Sequence, residues 1–546
     1  MKSWASAALA PISPAVMNGV PIRMLAVISV GLALCGISLL FDDSVTWINH
    51  EYLIFSLPGA LLNGIHLKWQ DLFRGFDPYL FDVVRPRFIN YVITIFNVKL
   101  RLLVYQYFIP PPNLSLGLIV HLLFAPVLFF VLSRKLFVDR WIALLGTCLY
   151  VASVGFLSSI AIFPQPGKNI IHTLTLALFV ALATLHEKEQ VRPFGEERPR
   201  IVALVMFMNL IAMSLDEQYV IVAMAGAVLF YRLFLPVSLL APDLRRSARA
   251  LGLYFAPFVA FFLFAGLVAP FISEKLGNGR CNYLGQFFQY TAEKLPVIPF
   301  WPLFADITST AVAATLLPEP FPPDMSAFKL YLQGWPLAAF GLCMAALLAL
   351  LIKRAITAPG TLAQRLGLPW RLAFTVIVYF LLQTTLQRFH AQVTGGFYYE
   401  ALAAIFISLL LISLFADARA GLEKIILLCL LPAFMVFQLT TFIELNGRWK
   451  SAHIPLNRML LDNQHAYPNL IVNENGPRGD AQTARMEDLW NRWRRGEKLD
   501  GSLVRNWPIT DGWFLLELDA LNGRIFKVDK PHCPGWTPGS GWWNPG

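Results

Sequence analysis

The chain has 546 residues, 56% of them hydrophobic and only 14% charged, and its mean hydropathy is +0.56. This composition excludes a large soluble enzyme and fits a polytopic membrane protein. The formal charge of +10 requires no nucleic acid, because basic loops along one membrane face and contact with anionic lipid or phosphate account for it.

Lys2 precedes a weak, Pro-interrupted stretch, unlike the compact apolar core of a cleaved signal, so the first apolar run is expected to be retained. That run, residues 24–41, carries no charge and suffices to cross a hydrocarbon core of roughly 30 Å as a helix. It opens onto Phe41-Asp42-Asp43. Carboxylates at a membrane boundary are costly to desolvate and useful for a reaction at the lipid surface. The plainer reading is a polar cap where the helix leaves the membrane.

Further apolar runs lie near 114–132, 141–160, 169–185, 201–213, 219–235, 250–272, 336–352, 372–386, 398–416 and 425–443, which makes about eleven spans. The run at 201–213 is short, so its helix is expected to extend past both limits. Five loops carry Lys and Arg: Ser133–Arg140, His186–Arg200, Ala241–Arg249, Lys353–Arg371 and Asp417–Lys424. The alternate short loops hold only Lys168 and Arg388 as basic residues. The positive-inside rule therefore makes the first set cytoplasmic. The N-terminus is then expected inside, with Asp42, Asp43 and the C-terminal segment outside.

Residues 87–108 are apolar enough to span but contain Lys99 and Arg101, and a span there would reverse every later loop. Residues 42–113 thus read as a first external loop, with amphipathic helices on the membrane surface across 44–110. A second external loop, 273–335, is rich in Pro and aromatics, as loops covering a site often are. The transmembrane domain is expected over 1–443 and a small external α+β domain over 444–546. The latter contains a short helix, Ala481–Arg495, and two strand-like runs flanking Asn522-Gly523. Its Trp-, Gly- and Pro-rich tail is better read as docking on its own domain than as binding sugar.

Cys35, Cys148, Cys343 and Cys429 fall in apolar runs and read as packing residues. Cys281 and Cys533 fall in polar external segments and are expected to form a disulfide in an oxidising compartment. No spacing resembles a metal motif.

Charges at the external ends of spans are the candidates for chemistry. Asp42 and Asp43 supply carboxylates. Arg85-Pro86-Arg87 supplies two guanidiniums, whose forks match phosphate oxygens. Lys168 precedes the fourth run, Asp216-Glu217 fills a short turn, and Arg388, His390, Tyr398, Tyr399 and Glu400 surround the tenth run. Each alone has a simpler role. Arg85 and Arg87 can pair with Asp77 or Asp82, Lys168 can mark an interface, and Glu217 can favour a helix start. Together they set acids and phosphate-binding cations on one face, as an enzyme using a lipid-linked phosphate requires.

Phe41-Asp42-Asp43, with Asn49, Trp69 and then Arg85-Pro86, resembles the first external loop of the GT-C-fold glycosyltransferases. The sequence is most similar to the transmembrane O-mannosyltransferases with tetratricopeptide repeats and their bacterial relatives. Gly167-Lys168 loosely matches their Gly-Arg, Asp216-Glu217 half matches their Lys-Glu turn, and Arg388-Phe389 with Tyr398-Tyr399 echoes their Arg-Tyr segment. The repeats themselves are missing, so protein O-mannosylation is not carried over.

The resemblance implies a GT-C-like all-α membrane fold and inverting transfer of a sugar from a polyprenyl-phosphate donor to an acceptor hydroxyl on a glycan, lipid or protein. Asp43 would be the general base and Asp42 would orient it. Arg85, Arg87, Lys168 and Arg388 would hold the phosphate. Asn49, Glu217, His390 and Tyr398 complete the expected site, with no cofactor and no metal. The setting would be a bacterial inner membrane. The alternatives are a lipid-linked glycan polymerase, ligase or flippase, or an inactive scaffold of the same fold. A transporter would instead carry its charges near the midplane.

Overall fold

The computed structural model describes residues 20–39, 116–137, 139–161, 166–186, 193–196, 198–216, 219–235, 244–269, 367–389, 402–417 and 427–440. It also describes scattered positions at 68–107, 271, 300–304, 345–352 and 442–443. The described part is helical and contains no strand. The expected domain at 444–546 and Cys281, Cys343 and Cys533 lie outside the described residues.

The elements are α1 (Val20–Leu39), α2 (Leu116–Phe137), α3 (Arg140–Val151), α4 (Val154–Ala161), α5 (Pro166–His186), α6 (Pro199–Leu215), α7 (Tyr219–Leu229), α8 (Leu244–Leu263), α9 (Leu368–Phe389), α10 (Ala403–Asp417) and α11 (Leu427–Thr440). Described helices stand on ten of the eleven apolar runs, and at 336–352 only positions 345, 349 and 352 are described. The short run at 201–213 lengthens to Pro199–Leu215, Pro199 supplying the start. Among the described residues, four stretches are long and apolar enough to cross a membrane, at Ile119–Phe137, Asn169–His186, Leu244–Val268 and Leu368–Leu386. With apolar side chains facing outward, such as Val27, Phe124, Phe207, Val259 and Ile377, this is an integral membrane protein whose outer surface suits lipid.

α2 packs against α3 and α5, α1 against α3, α6 against α5 and α8, and α9 against α7 and α10. Lipid offers helices no hydrophobic drive to associate, so small residues and polar contacts must hold them. Gly146 lets Ile412 of α10 approach α3, and Gly36 of α1 lies under Leu157 of α4 and Leu439 of α11. Tyr254 Oη of α8 donates to the Ala223 carbonyl of α7 at 3.0 Å, and Phe129 stacks on Tyr150 across α2 and α3 with centroids 4.6 Å apart.

The run at 141–160 is not one helix. Ser153 Oγ donates to the Tyr150 carbonyl and accepts from Phe156 N, so it caps the start of α4 while the chain bends. Gln438 of α11 accepts from Val154 N at 3.0 Å, closing one more orphan donor of that break. The reading of the cysteines needs a correction as well. Cys148 is buried, but Cys35 and Cys429 are exposed on helix faces. In a membrane the outer surface is as apolar as the core, so an apolar run does not reveal which way a side chain faces.

Candidate functional site

One end of the bundle is built around the start of α5. Pro166 and Gly167 open that helix, and Lys168 and Asn169 follow in its first turn. The described positions between 89 and 103 are helical and contribute Asn90 and Asn97, two turns apart and hence on one face. Asn97 Oδ1 accepts from Leu116 N, the first residue of α2, at 2.7 Å. Asn90 rests on Gly167, where a methyl group would stand 2.8 Å from Asn90 Cγ and nearer still to its Oδ1. Glycine alone leaves room for that approach.

One helical segment therefore seats one amide on the N-terminal end of α2 and another on that of α5. Both asparagines are buried, and Asn90 Oδ1 has no hydrogen-bond partner among the described residues. Ile89 and Ile93 pack on the helix core, so this segment of the expected surface loop docks on the bundle. The positive end of the α5 dipole stands at this turn, as helix N-termini that favour an anion do.

Below this turn lies a buried polar cluster. His121 of α2 has Thr173 Oγ1 of α5 at 3.2 Å from Nδ1 and Ser159 Oγ of α4 at 3.2 Å from Nε2. Ser159 spends its own hydrogen on the Phe156 carbonyl at 2.8 Å. His121 then carries its proton on Nε2, donates to Ser159 and accepts from Thr173. The His172 ring stands edge-on to His121 at 5.3 Å. Three helices are tied together about two turns from their common end.

Asp216 follows α6 and is only 3% exposed; its backbone N–H bonds the Ala212 carbonyl, and its carbonyl accepts from Tyr219 N. Arg388 stands in the last turn of α9. The first turn of α9, holding Arg371, lies within electrostatic reach of His186 at the end of α5, and Phe179 of α5 and Tyr379 of α9 both pack on Phe406, so the two helices run side by side and antiparallel. Lys168 and Arg388 are thus each roughly 26 Å along their helices from that shared end, at 1.5 Å per residue, and share the other one. Trp69 is exposed. Asp42, Asp43, Asn49, Arg85, Arg87, Glu217, His390 and Tyr398 lie outside the described residues. Among the described residues no group of three His, Cys, Asp or Glu side chains could hold a metal ion.

Asn90, Asn97, His121, Ser159, Asn169, His172 and Thr173 escape a reading confined to charges at span ends. Their signal was polarity inside an otherwise apolar run, most plainly at His121 and His172. Such residues usually face the bundle interior.

No protein-family profile matches the sequence, and no curated protein matches it. Among solved structures, an archaeal oligosaccharyltransferase from Archaeoglobus fulgidus, in complex with an inhibitory peptide and a dolichol-phosphate, aligns with a TM-score of 0.38 and 14% identity. The alignment covers 92% of this chain but 64% of that one. At this TM-score the likeness does not establish a common fold.

Proposed function

We propose that the chain is an inverting membrane glycosyltransferase of the GT-C type, moving a sugar from a polyprenyl-phosphate donor to an acceptor hydroxyl. The observation that carries this reading is the seating of Asn90 on Gly167. Arg87 and Arg85 stand three and five residues before Asn90, so an extended backbone limits them to about 11 and 18 Å from it. Chain length thus allows two guanidiniums to reach a helix N-terminus in whose first turn Lys168 falls. Arg forks, an ammonium and a helix N-terminus are the chemistry that holds a phosphate and stabilises it as a leaving group.

Chain length also lets the acids reach the same end. Asp42 is three residues past Leu39, hence at most about 11 Å from the end of α1. Gly36 in the last turn of α1 touches Leu157 of α4, and α4 leads into Pro166 through residues 162–165. A donor phosphate stays at headgroup depth, so its ligands come from the ends of different helices. The acceptor arrives from the aqueous side, so the base belongs on the segment above them. Asp43 serves as that base and Asp42 orients it, with Arg388 and the residues around it closing the far side.

The test is Asp43→Asn and Asp42→Asn, assayed separately for transfer and for binding of a polyprenyl-phosphate sugar. Loss of the base should lower transfer by about 10²–10⁴-fold with donor binding nearly unchanged. Transfer at the wild-type rate in both variants would end the proposal.

A further inference from the structure

The opposite end of the bundle gathers cations around a helix start. His186 closes α5, Arg232 lies in the 3₁₀ turn Tyr231–Leu233 that follows α7, and Arg371 is in the first turn of α9. The three elements are packed together. The His186 ring meets Phe230 at 6.0 Å between centroids, α7 lies along α9, and Phe194 N donates to the Leu233 carbonyl at 2.8 Å, pinning the α5–α6 connection on the 3₁₀ turn. Arg232 and Arg371 repel each other, and both repel a positive charge on His186.

The helix dipoles do not cancel this charge evenly. His186 and Arg232 stand at or past helix C-termini, where carbonyl ends favour a cation. Arg371 stands at the wrong end of its helix, because the first turn of α9 contains no acid and lies at the positive end of the dipole, although Pro369 has no N–H and Arg371 N donates to the Gly367 carbonyl at 3.1 Å. Arg371 is also half-buried, where an unmatched charge is costly. His186 Nε2 is buried without a partner among the described residues. Of the described acids near this end, Glu196 faces Arg246 at 3.8 Å, Asp139 caps α3 and Asp417 ends α10. Trp370, next to Arg371, is half-buried, as a residue at headgroup depth would be.

We infer that Arg371, Arg232, His186 and the first turn of α9 form a second anion site, for a phosphate-type group, at the membrane face opposite Lys168. The phosphate comes from an anionic phospholipid headgroup of that leaflet or from free phosphate. The site is distinct from the proposed donor phosphate site, being about 27 Å away along α5. It would act as a fixed anchor, holding the ends of α5, α7 and α9 against one bridging anion.

The sign of one substitution tests this. The full-length protein is purified and its unfolding temperature measured in nanodiscs of phosphatidylcholine alone, or containing phosphatidylglycerol, and in detergent with sodium phosphate against sodium chloride at equal ionic strength. Phosphatidylglycerol should raise the unfolding temperature by on the order of 2 °C if the source is lipid; phosphate in detergent should do so if it is free. Arg371→Gln and Arg232→Gln should lose that rise, whereas Arg249→Gln, on the same membrane face in α8, should keep it. Without either probe, Arg371→Gln should be as stable as the wild type or more so, since it removes an unmatched charge. Arg371→Lys, which keeps the charge and loses the fork, reports the same loss if the Gln variant does not fold. The proposal fails if neither probe stabilises the wild type beyond chloride, or if Arg371→Gln keeps the rise. It also fails if Arg371→Gln is destabilised without probe as strongly as Glu187→Gln or Asp417→Asn. In that case a carboxylate of the chain itself closes the cluster.

Discussion

Asn90 fills the space that a side chain on Gly167 would need, so the start of α5 and the helical stretch containing residues 89 and 90 approach closely. Gly167→Ala must therefore displace Asn90. Overpacking of this kind costs about 1–3 kcal/mol, and here it moves the turn that carries Lys168. Transfer is expected to fall by at least about 10-fold while the protein remains folded. The double variant Gly167→Ala with Asn90→Ala should regain stability, since the colliding atoms are gone. A double-mutant cycle on unfolding temperature and rate checks it; simple additivity of the two losses contradicts the contact.

His121→Phe removes a donor and an acceptor that join α2, α4 and α5. Ser159 keeps its bond to the Phe156 carbonyl, and Thr173 can turn to a backbone carbonyl of its own helix, so the loss is moderate. Interhelical polar contacts in membranes are worth about 0.6–2 kcal/mol, and the decrease in thermal stability should lie in that range. Stability equal to the wild type would show that the cluster contributes no net adhesion.

Gln438→Leu leaves Val154 N without its acceptor at the break between α3 and α4. An unsatisfied buried N–H costs about 1–3 kcal/mol, so this single substitution in α11 should lower the unfolding temperature and loosen a site far away in sequence. Gln438→Glu, which keeps an acceptor oxygen, should be the milder of the two in the order of unfolding temperatures.

Lys168→Gln, Arg388→Gln and Arg85→Ala each remove one charge from the proposed phosphate site. Hydrogen bonds to charged groups are worth about 1.5–3 kcal/mol, so each variant should weaken donor binding by roughly 10–100-fold and slow transfer with it. Wild-type binding of a polyprenyl-phosphate sugar by all three would remove the cations from the site. The contrast with Asp43→Asn, which spares binding, separates phosphate holding from proton removal.

Much of the helical framework was legible in the sequence, because the length of an apolar run and the width of a bilayer are one constraint. Lys168, Asp216 and Arg388 could be placed at helix ends for the same reason: charge is expelled from hydrocarbon and collects where helices leave it. Hydropathy does not report which end meets which neighbour. The seating of Asn90 on Gly167, the bond from Asn97 to the start of α2, and the convergence of His186, Arg232 and Arg371 join residues far apart in the chain. Those contacts depend on helix rotation and close packing, set by small residues and buried polar pairs that an average over a window erases. The bend at Ser153 was hidden likewise, since a serine in an apolar run can cap a new helix or simply face a neighbour, and Gln438, which takes the Val154 N–H, lies far away in sequence. The sequence by itself determined that this chain lives in a membrane and where most of its described helices lie. Only the tertiary structure decided which polar groups meet inside it, because the energy of a buried hydrogen bond exists only once both partners are in place.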